Sequence, residues 1–378
     1  MAEFRIKLSA PDIADDDIEE VVGVLRSGWL SLGPKVIEFE QAFANYLGVK
    51  HAIACNSGTS ALHMMMLTAG IGPGDEVITS PFSFIASANC IEMVGAKPVF
   101  VDIDELSLNM DPALVEKAIT PRTKAVLGVH IFGLSAENDK LKAICERHKL
   151  VYLEDACEAL GATQNGRKAG DGRHGIAAAW GFYPNKQMTT GEGGMVTTND
   201  EAFATSIRKL RNQGRNLSAA WLEHDVVGYN FRLDEMSAAL GLAQLRRIDD
   251  MLAKRERVAH AYNERLWPLR EHLKPLPEVM GHRRSWFVYS IMLKRHIDRD
   301  KVAAKLAEWG VQVGKYFSPP IHLQTCYRKK YGYKEGAFPV TEDIAHRSIA
   351  LPFHTKLPEK DIDNVCECLH DAIKAMMK

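Results

Sequence analysis

The segment AVLGVHIFGLSAENDKLKAICERHKLVYLED, residues 125–155, decides the fold class. It contains two short apolar runs, at 125–131 and 150–154, separated by a helical pattern at 136–148. A strand, a helix and a second strand at this spacing predict two parallel strands joined by a helical crossover. In sheets of this kind, ligands bind at the carboxyl ends of the strands.

The same alternation extends through the first two-thirds of the chain. Further candidate strands lie at 51–55, 76–79, 98–102, 177–182 and 194–198, and further helical patterns at 59–70, 84–94 and 111–119. They predict an α/β fold in which a large domain, residues 1–245, has a mostly parallel central sheet flanked by helices. A long, kinked helical pattern at 234–269 is interpreted as a connector to a smaller α+β domain, 246–378, ending in a helix at Glu359–Met376.

Composition limits the class of protein. The chain has 378 residues, of which 46% are apolar and 25% are charged, as in ordinary soluble globular proteins. A net charge of -1 gives no global field that would recruit nucleic acid or an anionic membrane. The N-terminal residues 1–7 lack the apolar core of a signal peptide, and no run reaches the ~18 apolar residues of a membrane helix. We therefore expect a cytoplasmic protein without nucleic-acid or membrane partners.

Several motifs that could indicate other chemistry lack an essential part. The glycines of 70–74 follow a helix and precede a strand, which is the reverse of a dinucleotide-binding loop. The segment 310–316 is one residue too short for a P-loop and ends in Tyr316, where a magnesium-binding Ser or Thr is needed. The 14 histidines and seven cysteines do not have the spacing of a metal site, so no metal is expected.

The stretch CNSGTSALHM, residues 55–64, follows the first candidate strand and opens a helix. Gly58 allows a ligand to approach the backbone closely, and Ser57 and Thr59 supply hydroxyls beside unpaired helix N–H groups. The positive end of the helix dipole would complete an anion site. The plain alternative is a Ser/Thr helix cap without a ligand.

Two further stretches supply a carboxylate and an amine. LVYLEDACEALGA, residues 150–162, ends a strand in two carboxylates, the second of which is Asp155; the alternative role for these is a cap or a structural salt bridge. In FYPNKQMTTGEGGMV, residues 182–196, Pro184 and three glycines constrain the backbone around Lys186. An anion pocket, a strand-end carboxylate and a constrained amine are the parts of a pyridoxal phosphate site.

The sequence resembles the DegT/DnrJ/EryC1/StrS family of sugar aminotransferases, which have the pyridoxal phosphate fold type I of aspartate aminotransferase. The similarity extends over nearly the whole chain and includes SGWLSLGPKVIEFEQAFANYLG, NSGTSALH, SPFSFIASAN, VHIFG, EDACEALGA, FYPNKQMTTGEGG, GYNFRLDEMSAALGLAQL and SPPIHLQTCY. It implies a homodimer that transfers an amino group from glutamate to a nucleotide-linked keto-sugar, a 4-keto-6-deoxy hexose, in polysaccharide or amino-sugar biosynthesis.

The resemblance also implies roles for individual residues. Lys186 matches the Schiff-base lysine, and Asp155 matches the carboxylate that binds the pyridinium nitrogen. Phe84 matches an aromatic side chain stacked on the cofactor ring. Gly58 and Thr59 match the cup that holds the cofactor phosphate.

Other matched positions imply contacts with a partner subunit and with the substrate. Asn230 matches an asparagine that reaches the cofactor phosphate from the neighbouring subunit. Five residues are implied to contact the nucleotide-sugar: Trp29, Tyr183, Arg232, Tyr316 and His322.

Three departures from the family pattern matter. Gly181 stands where many members have a serine that binds the phosphate. Glu158 stands where many have a glutamine near the phenolic oxygen of the cofactor, and a glutamate there must be protonated or paired. Leu134 and Ser135 replace a frequent polar-Pro-Ala pattern.

Two alternatives to C4 amination stay open at this point. One is amination at C3, or other pyridoxal phosphate chemistry on nucleotide-sugars; Lys186 argues against the sugar dehydratases of the family, which typically have histidine there. The other is a regulatory protein that binds the cofactor without turnover.

Overall fold

The computed structural model describes residues 4–216 and 222–376. Its α-helices are α1 (Asp15–Ser27), α2 (Pro34–Leu47), α3 (Gly58–Thr68), α4 (Ala86–Met93), α5 (Pro112–Lys117), α6 (Asn138–His148), α7 (Glu201–Arg211), α8 (Glu235–Arg246), α9 (Ile248–Leu266), α10 (Arg299–Glu308), α11 (Thr325–Tyr331), α12 (Pro339–Arg347) and α13 (Glu359–Met376). Its β-strands are β1 (His51–Cys55), β2 (Glu76–Thr79), β3 (Lys97–Phe100), β4 (Thr123–Val129), β5 (Val151–Asp155), β6 (Thr163–Gln164), β7 (Arg167–Lys168), β8 (Ala177–Gly181), β9 (Gly194–Thr198), β10 (Leu273–Pro275), β11 (His282–Arg283), β12 (Tyr289–Leu293) and β13 (Ser348–Leu351). None of the helices in these ranges combines the length and the apolar character needed to cross a bilayer.

Within the described residues, seven strands form a central sheet in the order β1-β9-β8-β5-β4-β2-β3. The strands β8, β5, β4, β2 and β3 run parallel to one another, whereas β9 is antiparallel to both of its neighbours. The predicted α/β fold with a mostly parallel sheet is therefore confirmed. β5 lies in the middle of the sheet, so its last residue, Asp155, lies at the centre of the carboxyl edge.

Side-chain alternation along the strands explains why helices cover both faces of the sheet. In β1, Ile53 belongs to an apolar cluster with Leu62 of α3. Its neighbour Ala54 belongs to a different cluster, with Phe39 and Phe43 of α2. Successive side chains of a strand point to opposite faces, so a strand that is apolar throughout needs a helical layer on each side.

The predicted element boundaries lie close to those of the structure. β1, β2, β9 and α13 have the predicted bounds, and the other predicted strands and helices of the central sheet differ by at most two residues at either end. The long pattern at 234–269 forms α8 and α9, which are separated at Arg247 with φ −108° and ψ 7°. The expected kink is this break in the helix.

A second, smaller sheet has the order β10-β12-β13. The N-terminal segment joins this part of the chain, because the N–H of Ile6 donates to the carbonyl of Gly310 at 3.0 Å and the Ile6 carbonyl accepts from Gln312 at 2.9 Å. The Leu8 carbonyl accepts from the N–H of Phe353 at 2.8 Å. The division into 1–245 and 246–378 stays a prediction.

Candidate active site

A cavity of about 530 Å³ opens at the carboxyl edge of the central sheet. Its wall combines the first turn of α3, the end of β5, the turn after β8 and the segment just before β12. The fold brings these predicted site residues to the cavity: Gly58, Thr59, Phe84, Asp155, Glu158, Tyr183, Lys186 and Tyr316.

The first turn of α3 forms one wall of the cavity. The Ser57 Oγ accepts a hydrogen bond from the N–H of Ser60 at 3.1 Å, so the helix has the Ser cap expected from its sequence. A β-carbon on Gly58 would lie 3.0 Å from the Cys157 Sγ and 3.2 Å from the Gly181 Cα. Glycine is therefore the residue that lets the helix start lie this close to the ends of β5 and β8.

The two carboxylates at the end of β5 have different environments. Glu154 is fully buried and accepts hydrogen bonds from His130 Nε2 at 2.9 Å and from the N–H of Gly175 at 2.9 Å. Burial acts to raise the pKa of Glu154, but these hydrogen bonds together lower it below the usual value. Glu154 thus has a structural role, as an acceptor of hydrogen bonds from His130 and Gly175, whereas Asp155 lines the cavity.

Asp155 is held in place but is left without a charge partner. Its Oδ2 accepts from the Ser87 hydroxyl at 2.7 Å, and its Oδ1 accepts from the N–H of Cys157 at 3.2 Å. It is 5% exposed, and no Lys, Arg or His nitrogen within residues 4–216 and 222–376 forms a salt bridge with it. A buried carboxylate of this kind requires a cationic N–H donor, and a pyridinium nitrogen fits that requirement.

Lys186 enters the cavity from the turn that follows β8. Its N–H donates to the Tyr183 carbonyl at 2.9 Å, and its carbonyl accepts from Arg255 Nη2 at 2.7 Å. Its Nζ lies 4.0 Å from the centre of the Phe287 ring and 3.7 Å from Glu158 Oε1. The backbone of Lys186 is therefore fixed on both sides, and the amine faces into the cavity.

Glu158 is the departure from the family pattern that lies closest to Lys186. Its Oε2 accepts from the N–H of Phe132 at 3.0 Å. Burial raises the pKa of the Glu158 carboxyl, and the ammonium group of Lys186 opposes that shift. The sequence required a glutamate here to be protonated or paired, and the structure places the Lys186 amine 3.7 Å from Glu158 Oε1 as the possible partner.

The other two departures leave the cavity intact. A β-carbon at Gly181 would lie 3.5 Å from the Cβ and Sγ of Cys157, which is an ordinary contact, so a serine would fit there. Leu134 and Ser135 are buried, and their carbonyls each accept from Asn109 Nδ2 at 3.2 Å. The loop is therefore anchored by a side-chain amide.

Four of the predicted site residues are not among those that line the cavity. Trp29 is 58% exposed, and its Nε1 donates to the Ser31 carbonyl. Asn230 is exposed. Arg232 Nη1 donates, at 2.9 Å, to the side-chain oxygen of the residue that directly follows α7. His322 is fully buried, and its Nε2 lies 2.9 Å from a carboxylate of α12. The roles of these four residues stay predictions.

Three residues of the site were not predicted. Ser87, which holds Asp155, lies in the stretch SPFSFIASAN, so its hydroxyl could have been found from that motif. Arg255 of α9 is 4% exposed and binds the carbonyls of Lys186 and Phe287. Neither Arg255 nor Phe287 has a local sequence signal, because both reach Lys186 through tertiary packing.

Comparison with known proteins gives a consistent result. The model of the DegT/DnrJ/EryC1/StrS aminotransferase family matches residues 11–370. The spore coat polysaccharide biosynthesis protein SpsC of Bacillus subtilis (strain 168) is 41% identical over 380 residues, covering 97% of this chain and 96% of that protein. GDP-perosamine synthase of Caulobacter vibrioides is 40% identical over 373 residues, covering 98% of each chain.

A solved structure agrees with the sequence matches. PseC of Helicobacter pylori, an aminotransferase involved in the biosynthesis of pseudoaminic acid, has a TM-score of 0.91 and 30% identity, covering 99% of this chain and 100% of that one. The family match over most of the chain and the matching fold exclude a chance resemblance of isolated motifs. The chain therefore belongs to the DegT/DnrJ/EryC1/StrS aminotransferase family, whose members are pyridoxal-phosphate-dependent transaminases of fold type I.

Proposed function

We propose that this enzyme transfers the amino group of glutamate to a nucleotide-linked 4-keto-6-deoxy hexose, in the synthesis of cell-surface polysaccharide or amino sugars. The observation that carries the proposal is the single cavity shared by Lys186 and Asp155 beside the first turn of α3. The similarity to a GDP-perosamine synthase and to a spore coat polysaccharide protein supports a sugar substrate.

The residues of the cavity fit pyridoxal phosphate. Gly58 and Thr59 would hold the phosphate on the first N–H groups of α3, which have no partner within the helix. Asp155, which lacks a charge partner among the described residues, would accept from the ring nitrogen. Phe84 would stack on the ring, and Lys186 would supply the amine.

Three residues of the chain have roles in proton transfer: Lys186, Asp155 and Ser87. When bound, pyridoxal phosphate supplies an electron sink for the bond broken at the Cα of the amino donor. Lys186 Nζ would take the proton from that Cα as a general base and would deliver it to a second carbon as a general acid, so that the amino group can leave the donor. Asp155 keeps a proton on the ring nitrogen, and Ser87 keeps the Asp155 carboxylate in place.

Gly58→Ala is expected to weaken pyridoxal phosphate binding by about 10- to 100-fold. The added methyl group would meet Cys157 and Gly181 at 3.0 and 3.2 Å and would move the start of α3 away from the ends of β5 and β8. The dissociation constant can be measured by fluorescence titration of cofactor-free protein. Gly23→Ala in α1 is the matched control, because nothing lies within 4 Å of its β-carbon; equal affinities of the two variants would contradict the proposed cup.

A homodimer with shared sites is part of the proposal. Exposed apolar side chains, Leu32 at 56% and Ile37 at 68%, line a small pocket that also contains Arg232. Apolar side chains of this exposure are typical of a protein interface. Asn230 lies on the same exposed segment as Arg232 and would reach the cofactor phosphate of the partner.

Mixing inactive Lys186→Ala subunits with inactive Asn230→Ala subunits is expected to restore about a quarter of wild-type activity. With random pairing of equal amounts, half of the dimers contain one intact site and one doubly damaged site. Subunit exchange is verified by mass-tagged subunits, and turnover is measured before and after mixing. Verified exchange without any recovery would exclude a site shared between subunits.

The substrate is identified by a screen of UDP-, GDP- and dTDP-linked 4-keto sugars with ¹⁵N-glutamate. We expect transfer of ¹⁵N to one 4-keto sugar, detected by mass spectrometry and placed on C4 by NMR. The matching 3-keto sugars are included as a control. Transfer to C3 alone, or turnover with none of the sugars, would contradict the proposal.

A further inference from the structure

Glu158 and Lys186 form a largely buried pair of opposite charges. Glu158 is 6% exposed, the Lys186 side chain is 16% exposed, and Oε1 lies 3.7 Å from Nζ. The two oxygens of Glu158 have different partners, because Oε2 accepts from the N–H of Phe132 whereas Oε1 faces the ammonium group. The Glu158 backbone is also held, by a hydrogen bond from the Gln187 side chain to its carbonyl.

Among the described residues, Lys186 is the cation that pairs directly with Glu158. The titratable groups that face it are Lys186, Asp155, Cys157 and Tyr316. Asp155 carries the same charge as Glu158 and acts to raise the pKa of Glu158. Burial raises the pKa values of the Cys157 thiol and the Tyr316 phenol, so both stay uncharged and neither supplies a positive charge. Within the described ranges, Lys186 is the one cationic side chain that forms a salt bridge with Glu158.

A buried carboxylate that loses its counter-charge takes up a proton, because a buried unpaired charge is more costly than a neutral acid. Lys186 loses its positive charge when it is a free amine ready to act as a base, or when its imine with a carbonyl group carries no proton. Among the described residues, the fixed donor left to the Glu158 carboxylate is then the N–H of Phe132, which bonds one oxygen.

We propose that the charge of Glu158 follows that of Lys186, so that Glu158 takes up a proton on Oε1 whenever Lys186 Nζ carries no positive charge. The proton comes from Nζ itself or from solvent. The protonated Glu158 presents an O–H donor at the position where relatives with glutamine present an N–H donor. In the cofactor-free chain the pair is ionic. When Lys186 carries no positive charge, protonated Glu158 donates a hydrogen bond as a glutamine side chain would.

The first test uses cofactor-free full-length protein and rests on contacts within the chain alone. The infrared band of the protonated Glu158 carboxyl, assigned by its loss in Glu158→Gln, is followed against pH. We expect Lys186→Met to raise the titration midpoint by about 1–3 pH units, because it removes the opposite charge. Lys186→Arg retains the charge and is expected to keep the midpoint near that of wild type. Circular dichroism melts establish that all variants are folded, and equal midpoints in the Met and Arg variants would overturn the proposal.

The second test also rests on the proposed cofactor. Calorimetric titration of cofactor-free protein with pyridoxal phosphate, in buffers of different ionisation enthalpy, gives the number of protons taken up. At a pH at which the absorbance of the complex shows an unprotonated imine, we expect wild type to take up about one proton more than Glu158→Gln. We expect Glu192→Gln, a change at an exposed carboxylate of the cavity rim, to match wild type. If the cofactor binds and the proton numbers of wild type and Glu158→Gln are equal, the role proposed for Glu158 is wrong, whereas the cofactor assignment is unaffected. Absence of binding would instead contradict the cofactor assignment, and the infrared test would still decide the proposal.

Discussion

Replacing Lys186 by alanine is expected to lower turnover by about 10⁴-fold or more, as for other residues that act as the central base and nucleophile of an enzyme. The amine is the group of the cavity that can both bind a carbonyl and move a proton. Its backbone is fixed by hydrogen bonds with Tyr183 and Arg255, which hold the amine at this position of the cavity. Turnover is measured with glutamate and the substrate found in the screen.

Lys168→Ala is the matched control for this substitution. Lys168 is also a partly buried lysine, and its Nζ donates to the Tyr46 carbonyl and lies 3.6 Å from the centre of the Tyr46 ring. It does not line the cavity, so the control is expected to keep turnover within about threefold of wild type. Borohydride reduction of the loaded enzyme should attach the pyridoxyl group to Lys186. Labelling of a different lysine, or activity in Lys186→Ala comparable to the control, would refute the assignment.

Replacing Asp155 by alanine is expected to lower turnover by about 10²–10⁴-fold. In the proposed site this carboxylate would keep a proton on the ring nitrogen, and without that proton the ring would withdraw electrons poorly. Asp155→Asn retains the shape of the side chain and tests the charge alone, so a comparable loss is expected. Near-normal turnover in both variants would show that Asp155 only anchors the end of β5.

The neighbouring carboxylate gives the contrasting control. Glu154→Gln changes a fully buried side chain on the opposite face of the same strand, where it accepts from His130 and Gly175. Losing charged hydrogen bonds there is expected to lower the free energy of unfolding by about 1.5–3 kcal/mol. Turnover of the folded fraction is expected to stay near wild type. Denaturant unfolding and turnover, measured on both variants, separate folding effects from chemistry.

The fold was predictable because the strands of the central sheet are short, continuous apolar runs. HAIAC and GMVTT form β1 and β9 with the predicted bounds, since strands covered on both faces need apolar residues at every position. The sequence predicted that the helical pattern at 234–269 is kinked, but not where. In the folded chain the break lies at Arg247, whose side chain contacts Asp17, a residue of α1 far away in the chain.

The site was predictable where a residue and its backbone constraint are close in sequence. Gly58 and Lys186 have such signals, and the structure places both at the cavity. Arg255 lies 69 residues from the carbonyl that it binds, so only the folded chain reveals the contact. His322 was expected from its motif to contact substrate, but in the folded chain its ring packs against Phe338, with 4.8 Å between the ring centres.

The pairing of the N-terminal segment with residues 310–312 has a consequence for protein engineering. Exchanging the C-terminal third, residues 246–378, between family members is one route to new substrate specificities. A chimera joined only near residue 245 would pair residues 6–8 of one parent with 310–312 of the other. The donor's first few residues therefore need to be transplanted together with its C-terminal third, so a working exchange requires two crossover points.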